Sequence, residues 1–139
     1  MRKIKFRAWH KDKKLMLNVI AINFELLQIT TDIANKKIYP DLDYWWKETD
    51  IPFSEIEFME STGLFDKNGF EIFEGDIVEN TTQRVYLGHM FEVSWNCGYA
   101  CFQLLNGGKS SNVPLIQDFM SYEVVGNIYE NPELLEVEE

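Results

Sequence analysis

The chain has 139 residues, 45% of them hydrophobic and 14% aromatic, enough apolar material for one folded domain and too much for a disordered chain. Its 13 Lys and Arg stand against 23 Asp and Glu, a net charge of -10, which argues against a nonspecific phosphate-binding surface because affinity for a polyanion comes from cations that displace counterions. The opening "MRKIKFRAWHKDKK" lacks an apolar signal-peptide core and no run of about 18 apolar residues follows, so no membrane span is expected, and a cytoplasmic protein with reduced thiols is.

Ten Phe, six Tyr and four Trp favour sheets, since flat rings pack well on a pleated surface. "IKFRAW" (4–9) alternates, with Ile4, Phe6 and Ala8 on one side and Lys5, Arg7 and Trp9 on the other, the pattern of a strand with one buried face. "HKDKK" is a polar turn, and the apolar, β-branched run "LMLNVIAINF" (15–24) predicts a second strand paired to the first. "LLQITTDIANKKIY" (26–39) predicts a further hairpin with Asn35-Lys36 near its turn; a helix over Phe24–Ile29 is the alternative, because short apolar runs fit both periods. "PDLDYWWKETDIP" (40–52), bounded by Pro40 and Pro52, predicts a loop or one helical turn capped by Asp41. Tyr44, Trp45 and Trp46 in a row cannot all face one core. Either they lie as a lid on their own domain or they meet a partner, and they are the strongest interface candidates in the chain.

"FSEIEFMES" (53–61) alternates again, with Ile56 and Phe58 opposite Glu55 and Glu57. Asp66-Lys67-Asn68-Gly69 then predicts a tight turn, since Asn and Gly tolerate positive φ, and Phe70–Glu79 predicts the next strand. Gly75-Asp76 interrupts that run: Gly makes a bend, and Asp accepts hydrogen bonds from nearby backbone N–H groups. Asn68, Gly69, Gly75 and Asp76 are therefore read as fold-specifying. "RVYLGHMFEVSW" (84–95) and "YACFQLL" (99–105) predict two strands around the turn "NCG", and "LNGGKSSNV" (105–113) a Gly- and Ser-rich loop. "SYEVVGNIYE" (121–130) predicts a last strand in which Gly126 marks a bulge or a close approach. "NPELL" opens a short helix, with Asn131 as cap and Pro132 in the first position.

The expected fold is mainly β: one small, barrel-like antiparallel domain over residues 1–139 with a short C-terminal helix. The alternative is an α+β chain with one or two short helices around residues 24–50.

Three segments in order, "IKFRAW", "TGLFDKNGFEIFEGDIVE" and "VVGNIYENPELL", closely resemble the YopX family of phage and prophage proteins. His10 stands where an Asp is usual after the "RAW" motif. The resemblance implies a small, mostly β, phage-encoded domain in a bacterial host that assembles into oligomers. It brings no established activity and no catalytic residue.

The residues themselves carry little chemistry. Glu71, Glu74 and Asp76 are a carboxylate cluster whose only plausible partners for metal or acid–base work are His89 and Glu92, and two histidines are few for a metal set. Cys97 and Cys101, spaced C-x3-C, lack a second ligand pair and are read as inert thiols, and "LNGGKSS" lacks the spacing of a phosphate loop. No enzyme activity, metal or cofactor is expected. "RKIKFRAWHKDKK" interleaves cations with rings, so Lys5, Arg7 and Trp9 are candidate nucleic-acid contacts, a role the net charge disfavours. Seven of the 13 cations lie in "RKIKFR" and "HKDKK", whereas the last ten residues hold five Glu and no Lys or Arg, an asymmetry suited to self-association. The expected function is protein–protein interaction, as a homo-oligomer and with a phage or host protein.

Overall fold

A computed structural model describes residues 4–81, 87–106, 109–114 and 121–136. The strands are β1 (Phe6–His10), β2 (Leu15–Asn18), β3 (Ala21–Asn23), β4 (Gln28–Thr31), β5 (Thr49–Pro52), β6 (Ile56–Phe65), β7 (Glu71–Phe73), β8 (Asp76–Asn80), β9 (Met90–Asn96), β10 (Cys101–Asn106), β11 (Lys109–Pro114) and β12 (Tyr122–Asn127). One helical turn, α1 (Asn35–Ile38), and 3-10 turns at Phe53–Glu55 and Pro132–Leu135 accompany them. The strand pairs are antiparallel and the protein is mainly β, with one half-barrel-like sheet. None of the helices among the described residues is long and apolar enough to cross a membrane. The chain divides into two compact units, Ile4–Glu60 and the part from Ser61 onward.

In the first unit β1 lies between β2 and the first half of β6, with Ala8 opposite Leu17 on one side and Phe58 on the other. The run read as one strand over 15–24 is two. Strand β2 stays beside β1, and the chain then changes sheet to form β3 beside β4. Apolar residues fill both halves, so periodicity holds no mark of the crossing. The hairpin turn falls at residues 24–27, not at Asn35-Lys36. The Asn23 side chain builds it by accepting the N–H groups of Glu25 (3.0 Å) and Leu26 (2.9 Å), and Leu27 completes it at φ 52°. No helix forms over Phe24–Ile29. Strand β4 also pairs β5, with Gln28 opposite Pro52 and Thr31 opposite Thr49. Ala8, Leu17, Ile29, Ile38, Ile51 and Ile56 form the core of this unit.

Strand β6 continues into the second unit, where Ser61 and Phe65 pair with β7 across a register shift at Gly63 (φ 78°). The larger sheet there runs β11-β10-β9-β8-β12. Ile72, Val78, Phe91, Val93, Leu104 and Tyr122 fill its core. The segment read as a loop over 105–113 contains β11, paired to β10 across a bulge; Gly107 and Gly108 lie outside the described residues. Of the strand expected over 84–95, Met90 onward forms β9, and residues 84–86 lie outside the described residues. A register shift falls at Gly126, as its glycine predicts. A Cβ there would lie 2.5 Å from Asn131 Oδ1, so the position needs a residue without one. The C-terminal helix is a single 3-10 turn with Pro132 at its start, but Asn131 does not cap it. Its side chain turns back to accept the Asn127 N–H (3.3 Å).

Candidate interaction site

Between β4 and β5 the chain makes an excursion through α1 and the loop 39–48. The helical turn occurs at Asn35, ahead of the position expected from Asp41, and has no side-chain cap. Its organising residue is Asn35, which is buried. The Asn35 side chain donates from Nδ2 to the Tyr44 carbonyl (3.1 Å) and accepts the Trp46 N–H at Oδ1 (2.8 Å), while its own N–H donates to the Trp46 carbonyl (3.0 Å). Thr49 anchors the end of the loop by donating from Oγ1 to the Ile33 carbonyl (2.6 Å). The backbone is thus held from the inside on both sides of Trp45. Tyr44, Trp45 and Trp46 remain 63%, 64% and 58% exposed, so the three do not pack as a lid. Asp41, Asp43 and Lys47 are exposed in the same loop, and Lys36 and Lys37 are exposed on α1. Such a loop offers rigid aromatic area at low entropic cost, the character of an interface anchor.

The candidate nucleic-acid contacts do not form one outward face. Lys5 is exposed and Arg7 half-buried, but Trp9 is only 6% exposed. A strand covered on both faces has no outward ring to stack on a base. The basic turn that follows β1 carries Lys11, whose Nζ lies 3.6 Å from Glu57 Oε1 in an exposed pair of little energetic weight.

Sequence reasoning missed a polar network in this unit. His10 is fully buried. Its Nδ1 accepts the Lys13 N–H (3.1 Å), which leaves Nε2 to carry the ring proton toward Glu55 Oε1, 3.7 Å away. Glu55 Oε2 accepts the Tyr39 hydroxyl (2.8 Å). Burial, and then the hydrogen bond and charge of Glu55, push that hydroxyl well above the usual tyrosine range. The Tyr39–Glu55 hydrogen bond ties the 3-10 turn to the residue that follows α1, the Lys11 N–H ties the β1–β2 turn to the Glu55 carbonyl (3.0 Å), and the burial of His10 leaves it no face for a substrate. Tyr39 and Glu55 are 16 residues apart, so only the fold brings them together.

In the second unit, the acidic stretch 62–80 is bound into the backbone. Asp66 is buried, and its carboxylate accepts three N–H groups: Asn68 (2.9 Å) and Phe70 (2.9 Å) at Oδ1, and Val124 (3.0 Å) at Oδ2. Gly69 completes the turn at φ 85° and donates to the Asp66 carbonyl (3.0 Å), while Asn68 reaches Glu123 Oε1 (3.2 Å). Asp76 is buried and accepts the Phe73 N–H (2.8 Å). Gly75, also at φ 85°, donates to the Val93 carbonyl (2.8 Å) and accepts from Ile128 (2.9 Å). Asp66, whose carboxylate accepts three backbone N–H groups, is marked by the sequence reading only as the start of a turn. Its Asp-x-Asn-Gly spacing is the signal that marks it.

Glu92 is a carboxylate whose proton affinity is raised by its surroundings. Burial, and then the charge of Glu74, raise its pKa. The His89 ring lies tilted beside Phe91, with centroids 6.4 Å apart, and its carbonyl accepts the Asn80 N–H (3.0 Å). Among the described residues no three His, Cys, Asp or Glu side chains are grouped to hold a metal. Cys97 and Cys101 are free thiols, the first exposed in the β9–β10 turn and the second opposite Asn96 at the start of β10.

The family model described as YopX protein matches residues 5–136, and the chain belongs to this family. It is similar to the crystal structure of protein EF1440 from Enterococcus faecalis, with 30% identity and a TM-score of 0.67 over 98% of this chain and 100% of that one. It also shares its fold with the X-ray structure of protein yopX from Bacillus subtilis, at 18% identity and a TM-score of 0.53 over 97% of this chain and 98% of that one. No curated protein matches the chain.

Proposed function

We propose that the chain is a non-enzymatic accessory protein of phage or prophage origin that works by protein–protein contact, associating with copies of itself through the Tyr44–Trp46 loop. The observation that carries this reading is the Asn35 clamp: a buried amide fixes the loop backbone while three large rings stay exposed. A surface ring left to chance would need no such support, and rigid aromatic anchors are what interfaces concentrate. A nucleic-acid role for β1 is weakened by the burial of Trp9 and by the net charge. Light scattering of the wild type and of the Trp45→Ala/Trp46→Ala variant tests the reading. Assembly in the first and a shift toward monomer in the second are expected. A wild type that scatters as a strict monomer, unchanged by the substitutions, rejects it.

A further inference from the structure

The first unit carries a second exposed apolar feature, the β3–β4 turn. Phe24, Leu26 and Leu27 are 75%, 62% and 57% exposed. Like the aromatic loop, this tip is built to hold its shape. Asn23 accepts two N–H groups across it, Leu27 sits at a φ of 52° that costs a non-glycine residue energy, and the Leu27 carbonyl accepts the Phe53 N–H (2.9 Å).

The register places the two features at opposite ends of one small sheet. Gln28 pairs with Pro52 beside the tip, and Thr31 pairs with Thr49 beside the aromatic loop, so the β4–β5 ladder separates them by roughly 10 Å of paired strand. Both stay exposed, so neither covers the other within one copy. Charge also favours these places for contact between copies, which at -10 each repel elsewhere. Residues 15–31 carry a single charge, Glu25, and in residues 35–48 Lys36, Lys37 and Lys47 offset Asp41, Asp43 and Glu48.

We propose that the occupant of the aromatic loop is the Phe24–Leu27 tip of a second copy. The contact is then heterologous, joining unlike surfaces head to tail, and closes into a ring or continues as an open chain of subunits. Each copy uses one end to give and the other to receive. This inference rests on the self-association reading above and goes further by naming the surface that the rings meet.

Sedimentation of two variants tests it: a tip variant, Phe24→Asp/Leu26→Asp, and a loop variant, Trp45→Ala/Trp46→Ala. All four residues are exposed, and far-UV circular dichroism with thermal melting verifies each fold; Phe24→Ser/Leu26→Ser replaces the tip variant if it melts early. Each variant alone is expected to lose association by about tenfold or more. An equimolar mixture is expected to form a heterodimer and nothing larger, because each variant retains the end that the other lacks. A tip variant that assembles like the wild type while the loop variant does not means a symmetric loop–loop contact, and overturns the inference while leaving self-association standing. A mixture of two folded variants that stays monomeric also overturns it. A monomeric wild type removes the underlying reading as well.

Discussion

Residues 62–80 and residues 40–52 are both rich in carboxylates and aromatic rings, yet the fold buries carboxylates of the first, Asp66 and Asp76, although its Phe65 and Phe70 stay exposed, and leaves the rings and aspartates of the second in solvent. In the first stretch Asp66 and Asp76 are buried against backbone N–H groups, and Ile72 and Phe73 are buried. In the second the buried polar anchors are Asn35, outside the loop, and Thr49 at its end, while the loop's own rings and its Asp41 and Asp43 face solvent. A carboxylate surrounded by backbone donors specifies conformation and has no capacity left for a ligand. A ring whose backbone is clamped from within costs little ordering entropy when a partner covers it. Acidic and aromatic composition alone does not separate a structural segment from a recognition segment; the direction of the polar contacts does.

The largest effect that would sharpen this contrast is expected at Asp66. Asp66→Ala leaves three N–H groups without their acceptor, two in a turn and one on the neighbouring strand β12, at an expected cost of about 3–5 kcal/mol in urea unfolding. A loss below about 1 kcal/mol would mean that water replaces the carboxylate, and the stretch would no longer count as internally committed. Asn35→Ala follows, with an expected loss of about 2 kcal/mol for two side-chain hydrogen bonds in a buried site. It should also weaken self-association although no ring is altered. Asn35→Asp keeps the acceptor for Trp46 N–H but sets a carboxylate against the Tyr44 carbonyl, so it should lie between the two. Unchanged association in Asn35→Ala would show that the rings act without the clamp.

These contrasts were partly legible in the sequence. The strand pattern, the turn at Asn68-Gly69, the bend at Gly75-Asp76 and the bulge at Gly126 follow from local chemistry, because positive φ and period-two alternation leave marks on the residues themselves. That Tyr44, Trp45 and Trp46 cannot all face one core was legible too, but the sequence left open whether they lie as a lid or stand exposed, and the structure shows them exposed. What could not be read was long-range. Asn35 looked like a hairpin turn, since nothing nearby shows that its amide serves residues nine and eleven positions later. Trp9 alternates as an outward residue, and its burial depends on packing that periodicity does not encode. The β3–β4 turn has no Gly or Pro; Asn23 and a left-handed Leu27 do their work, and the second of these is invisible in a string of letters.

Glu92 tests the contrast with the smallest expected effect, because it is an acidic side chain in the second unit that burial and a neighbouring charge work against. Desolvation and the nearby Glu74 raise its pKa above the ordinary 4.5, so the fold binds this proton more tightly than the unfolded chain does. The sign follows from linkage. Stability from this group is fully present below the unfolded value and is lost as pH rises through the folded one, which leaves an ionised, unfavourable Glu92 at neutral pH. Glu92→Gln, which resembles the protonated form, should therefore stabilise the protein at pH 7 by about 0.5 kcal/mol, a figure kept small by the solvent screening of a half-exposed group. The melting-temperature difference between Glu92→Gln and the wild type should shrink as pH falls through the raised folded pKa toward 4.5 and vanish well below it, where Glu92 is neutral in both states. A variant less stable than the wild type at pH 7 would mean that ionised Glu92 is held by donors as Asp66 is, and the second unit's buried and half-buried acids would then form a single structural class.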